Sequence, residues 1–92
     1  MRVIGNIPHS TLKITVFETD TRFPVQFEAG AVAQIFRFRK GGQIENLSDV
    51  KALVDETMCK GVIEGLKRQN ELMIRSQARQ AKEESDDFPA II

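Results

Sequence analysis

Hydrophobic residues recur at two different periods along this chain, and the change of period divides it into two halves. Between residues 12 and 17, Leu12, Ile14 and Val16 alternate with Lys13, Thr15 and Phe17. That period of two predicts a strand with one buried face. Thr19-Asp20-Thr21-Arg22 is a polar break short enough for a hairpin, and Phe23, Val25 and Phe27 then alternate with Pro24, Gln26 and Glu28 in a second strand. Pro24 lacks an amide donor, which predicts an edge position or a nitrogen facing water. Ala29-Gly30 marks another turn. A third strand follows over residues 32–39, where Val32, Gln34, Phe36 and Phe38 share one face and Ile35, Arg37 and Arg39 the other. Lys40-Gly41-Gly42 ends it with two flexible glycines, and Arg2-Val3-Ile4 can supply a fourth short strand.

After Asn46 the period becomes helical. Asn46 or Ser48 can cap the helix start, and Asn46 is favoured because it places Asp49 at the third helical position, where an acid suits the helix dipole. Val50, Leu53, Val54 and Met58 form an apolar stripe that continues through Leu66 and Leu72-Met73 towards Ala81. Gly61 and Gly65 each cost about 1 kcal/mol relative to Ala inside a helix, so a bend or break is expected there. Residues 75–82 are good helix formers without an apolar face, which predicts fraying. The acidic run 83–87 and the apolar end Phe88-Pro89-Ala90-Ile91-Ile92 predict disorder from about residue 80. The expected fold is therefore α+β: an antiparallel three- to four-stranded meander followed by one long C-terminal helix packed on one sheet face. Residues 1–74 form the single domain, and 75–92 a frayed helix and tail. The buried sheet face is assigned to Leu12, Ile14, Val16, Phe23, Val25, Phe27, Phe36 and Phe38.

Composition narrows the function without naming it. Thirteen basic and thirteen acidic residues balance in 92 residues, unlike the basic surplus of most duplex-binding domains. Cys59 is the lone cysteine, which suits a reducing compartment and reads as a small apolar helix residue. No signal-peptide h-region and no apolar run of membrane length are visible, so a cytoplasmic location is expected. No Cys/His cluster has metal spacing, and Gly41-Gly42 lacks the Lys and Ser/Thr of a phosphate loop. No cofactor is implied.

The candidate chemistry is sparse. His9 is the sole histidine and stands in a turn-like segment, better suited to a local hydrogen bond than to catalysis. Glu18, Asp20 and Glu28 end strands, where charges keep a sheet soluble. Phe36-Arg37-Phe38-Arg39-Lys40 could serve single-stranded nucleic acid, but alternation sends the two Phe and the two Arg to opposite faces. The nucleic-acid alternative therefore rests on Phe17, Arg37, Arg39 and Lys40. Gly61-Val62-Ile63-Glu64-Gly65 puts two glycines four apart on a helix, where another backbone can approach. With Thr57 and Met58, the residues Gly61, Val62 and Gly65 are the candidate self-association set.

The run Ile7-Pro8-His9, Leu12-Lys13-Ile14-Thr15-Val16-Phe17, then Val25-Gln26-Phe27-Glu28-Ala29-Gly30 resembles a family of short uncharacterised bacterial proteins with no assigned activity. Ser10 stands where that family tends to have Pro. The resemblance spans roughly residues 3–66 and implies a sheet followed by a C-terminal helix; it implies no activity. Surplus apolar surface on so thin a domain points to a homodimer or a protein partner. The leading expectation is a non-catalytic, self-associating interaction domain. The alternatives are a single-strand nucleic-acid binder and a small enzyme whose site, His9 included, is shared across a dimer interface.

Overall fold

A computed structural model describes residues 1–81 in full and the course of the last helix to Ile91. The expected disorder beyond about residue 80, with the acidic and apolar runs it contains, lies outside the described side chains. Four strands, β1 (Arg2–Ile7), β2 (Lys13–Glu18), β3 (Arg22–Ala29) and β4 (Val32–Arg39), precede two helices, α1 (Leu47–Leu53) and α2 (Glu56–Ile91). The strands form one antiparallel meander in the order β1-β2-β3-β4. This is the α+β architecture that the change of period predicts, with the fourth strand present.

The register follows the alternation. Ile14 pairs with Phe27 and Val16 with Val25; Phe23 pairs with Phe38, Val25 with Phe36 and Phe27 with Gln34. These residues lie on the face that the helices cover. Because side chains alternate, Lys13, Thr15, Phe17, Pro24, Gln26, Ile35, Arg37 and Arg39 line the opposite face. Pro24 is not on an edge strand as expected, since β3 is central. Its ladder with β2 ends at Val16–Val25, one residue short of the proline, so the missing donor falls where that pairing has stopped. Positive φ at Gly30 allows the tight β3–β4 turn.

The core joins Leu12, Ile14, Val16, Phe23, Val25 and Phe27 to Val50, Val54, Cys59, Val62 and Leu66 of the helical half. Phe38 is only half-buried, and Phe36 remains 38% exposed although it meets Phe27 edge-on at 5.7 Å. Both lie on β4, the edge strand, where the helical layer gives incomplete cover.

The helical half departs from expectation at one point. Asn46 caps α1, its side-chain oxygen accepting from the Asp49 amide at 3.0 Å. The helix then stops at Val54 and restarts, with the Asp55 carboxylate accepting from the Met58 amide at 2.9 Å. The break thus falls at Val54-Asp55, whereas α2 runs unbroken through Gly61 and Gly65. Near its start α1 closes onto β1, where a Cβ on Gly5 would stand 2.8 Å from a Leu47 methyl.

Candidate functional site

His9 sits in the loop between β1 and β2. Its Nδ1 accepts from the backbone amides of Thr11 at 3.0 Å and Leu12 at 3.2 Å. Accepting at Nδ1 places the ring proton on Nε2, and Nε2 stands 3.9 Å from the Glu56 carboxylate at the start of α2. With one nitrogen occupied by two amides and the other carrying the proton, the ring offers no lone pair to a substrate. Its visible work is to fold the β1–β2 loop on itself through the Thr11 and Leu12 amides.

The carboxylates are dispersed. Glu18 bonds Arg2 and Lys40, each at 2.9 Å. The hydrogen bond from Lys40, followed by that from Arg2, holds its carboxyl below the ordinary value. Glu28 lies opposite Lys13 at the other end of the β2–β3 pair, and accepts from Gln26 at 2.8 Å. Asp20 lines the same polar cleft as Glu18, together with Arg2 and Lys40, but Glu18 is held by those two cations, so the pair does not supply one free acid and one free base. Cys59 is buried; desolvation first, then the negative charges of Glu56 and Asp55, push its thiol above the ordinary value. It stays protonated and unreactive. Among the described residues, no group of three His, Cys, Asp or Glu could hold a metal ion, and no helix is long and apolar enough to cross a membrane.

The self-association candidates separate. Val62 is buried in the chain's own core and Met58 is half-buried against it. A Cβ at Gly65 would lie 2.6 Å from the Gln34 amide nitrogen, so β4 already occupies that position. Gly61 has nothing within 4 Å and Thr57 is exposed. Only Thr57 and Gly61 of the set are therefore freely open to a second helix.

The nucleic-acid candidates separate as well. Phe17, Arg37 and Arg39 lie on the uncovered sheet face. Lys40 falls on the other side, over the Phe23 ring at 5.1 Å and bonded to Glu18. Sequence reasoning missed the two residues that complete the uncovered face, Lys13 and Arg22; strand parity already placed both beside Phe17. None of Lys13, Arg22, Arg37 and Arg39 has an ion pair or a side-chain hydrogen bond within the described residues. Among the described residues Glu28 is the one carboxylate of this face, along with the apolar Val3, Phe17, Pro24 and Ile35.

Two apolar features remain. A cleft of about 260 Å³ opens between the β3–β4 turn and α2, walled by Leu12, Val32, Ile63 and Leu66, with Lys67 its one ionisable neighbour. Further on, α2 outruns the sheet. From residue 56 to 81 it extends about 39 Å, against about 27 Å for an eight-residue strand. Its last hydrogen bond to the sheet runs from Gln69 to the Ala33 carbonyl at 3.3 Å. Past it, Leu72 and Ile74 are 62% and 53% exposed. No family model, curated protein or solved structure matches the chain.

Proposed function

We propose that this chain is a non-catalytic interaction domain that self-associates as a homodimer, with the outer part of α2 as its principal contact. The exposure of Leu72 and Ile74 on a helix that has left its own sheet carries this reading. A helix end with apolar side chains and no tertiary cover is marginal in water, and a second copy supplies the missing cover. The engaged ring of His9, the ion-paired Glu18 and the sealed thiol of Cys59 favour a binding role over a chemical one. Action in the cytoplasm of a bacterium is part of the proposal, in keeping with the lone cysteine and with the resemblance of residues 3–66.

Light scattering or sedimentation at high micromolar concentration tests it. A dimer is expected. Leu72 and Ile74 lie two residues apart and so on opposite sides of α2; the contact buries one of them, and of the single changes Leu72→Ser and Ile74→Ser one weakens the dimer by about tenfold while the other leaves it unchanged. A wild-type chain that stays monomeric overturns the reading.

A second reading, single-strand nucleic-acid binding, draws on the four unpaired cations of the uncovered face. It has one aromatic, Phe17, where stacking platforms use two or three, and Lys40 is turned away from it. Retention of single-stranded RNA or DNA in a low-salt filter-binding titration would favour it.

A further inference from the structure

The apolar cleft beside the β3–β4 turn and the exposed side chains of outer α2 stand in a fixed geometrical relation. Ile63, which walls the cleft, and Ile74, which is 53% exposed, are eleven residues apart on one unbroken helix. Eleven residues make about three whole turns, so the two isoleucines lie on the same side of α2, about 16 Å apart. Lys67 and Asn70 lie between them and also line the cleft. Leu72 stands nine residues from Ile63, about two and a half turns, and therefore points away from it. One side of the helix thus carries an apolar hollow at one end and an unpartnered apolar side chain at the other.

Such a stripe is self-complementary. Two copies of α2 laid antiparallel about a two-fold axis between Arg68 and Gln69 bring Ile74 of each opposite Ile63 of the other, and Lys67 opposite Asn70. The cleft of about 260 Å³ offers the walls of Leu12, Val32, Ile63 and Leu66 and room for a four-carbon side chain. Lys67, its one ionisable neighbour, comes within one residue of the other copy's Glu71, so the rim is complementary in charge. Because α2 outruns the sheet past Gln69, its outer turns can lie alongside the other copy's cleft. The opposite side of α2 has no comparable seat for Leu72. Eleven residues before Leu72 stands Gly61, where a Cβ would meet nothing within 4 Å and no apolar walls are present.

We propose that the cleft receives Ile74 of a second copy of this chain, reciprocally, so that two α2 helices pair antiparallel across two such seats. The inference rests on the homodimer reading, gives it a register, and assigns the contact to Ile74 and not to Leu72. Each seat takes from water an isoleucine that the single chain leaves exposed, and closes an apolar hollow. Two-fold symmetry ends the assembly at two copies.

Sedimentation equilibrium on the full chain tests it. Ile74→Ser should weaken the dimer about tenfold, while Leu72→Ser leaves it unchanged. Ala29→Leu fills the cleft from the chain's own sheet and should weaken the dimer by a similar factor. Combined with Ile74→Ser it should cost no more than either change alone, the sign of a shared contact. Lys67→Glu and Glu71→Lys should each weaken the dimer about threefold, and the chain carrying both should recover. Lys67, Glu71 and Ile74 are exposed, so their variants keep the fold even if Ala29→Leu does not, and unfolding midpoints check each one. A dimer weakened by Leu72→Ser and not by Ile74→Ser overturns this inference and leaves the homodimer reading standing. Failure of the double charge variant to recover overturns the register in the same way. So does a dimer indifferent to a folded Ala29→Leu chain; octanoate that shifts the Leu12 and Val32 amides of that dimer's wild type would then make the cleft a small-ligand site. A wild-type monomer overturns both readings.

Discussion

At the scale of single residues, His9 ties a loop to itself, while Glu18 joins parts of the chain that are distant in sequence. His9 accepts from two loop amides, so His9→Ala leaves the amide of the buried Leu12 without its partner. A cost of about 1–2 kcal/mol is expected, measurable by denaturant unfolding, with faster amide exchange at Thr11 and Leu12 as the local signature. Glu18 is drawn below its ordinary pKa by Lys40 and Arg2. A carboxyl that is more acidic folded than unfolded stabilises above its unfolded pKa, and this is lost as pH falls through the folded one. Wild type should therefore lose more stability than Glu18→Gln on acidification through the carboxylate range. Parallel unfolding curves for the two proteins across that range would contradict the assignment.

At the scale of elements, the glycines of α2 separate intrinsic propensity from contact. Gly61 faces open space in the single chain, so Gly61→Ala should stabilise it by about 0.5–1 kcal/mol. If a second helix also approaches there, the same change weakens the dimer, and thermal melts alongside sedimentation separate the two effects. Removing the cap of α1 by Asn46→Ala should cost about 1 kcal/mol. The strands were legible because alternation is local and each turn carries its own glycine or polar pair. The cap at Asn46 was legible for the same reason. The break at Val54-Asp55 was hidden because Val50, Val54 and Met58 keep helical spacing across it, both helices facing one sheet. Its signal was Asp55 itself, an aspartate three residues before Met58, which reads equally well as a flanking charge. The approach of His9 to Glu56, 3.9 Å apart, could not be read locally, since it depends on where the helix begins once folded. Lys40 misled because it follows two arginines in sequence while strand parity turns it to the other side.

At the scale of the whole molecule, a thin sheet with one helical layer has little to spare. Phe27 is fully buried at the centre of the core, and Phe27→Ala should cost about 3–5 kcal/mol, enough to leave most of so small a domain unfolded at room temperature. Association adds to stability by mass action, so the melting temperature of the wild type should rise with protein concentration. That of Leu72→Ser with Ile74→Ser should stay flat. Neither proposed contact surface includes Cys59, whose sulfur lies sealed between α2 and the sheet. The chain thus contains a single built-in clock for its own opening: an alkylating reagent can reach that sulfur only when the layers part. Timed mass spectrometry would then count openings directly, slowed by dimer formation to the extent that pairing keeps the layers shut, and it needs no tryptophan or tyrosine signal, of which this sequence has none.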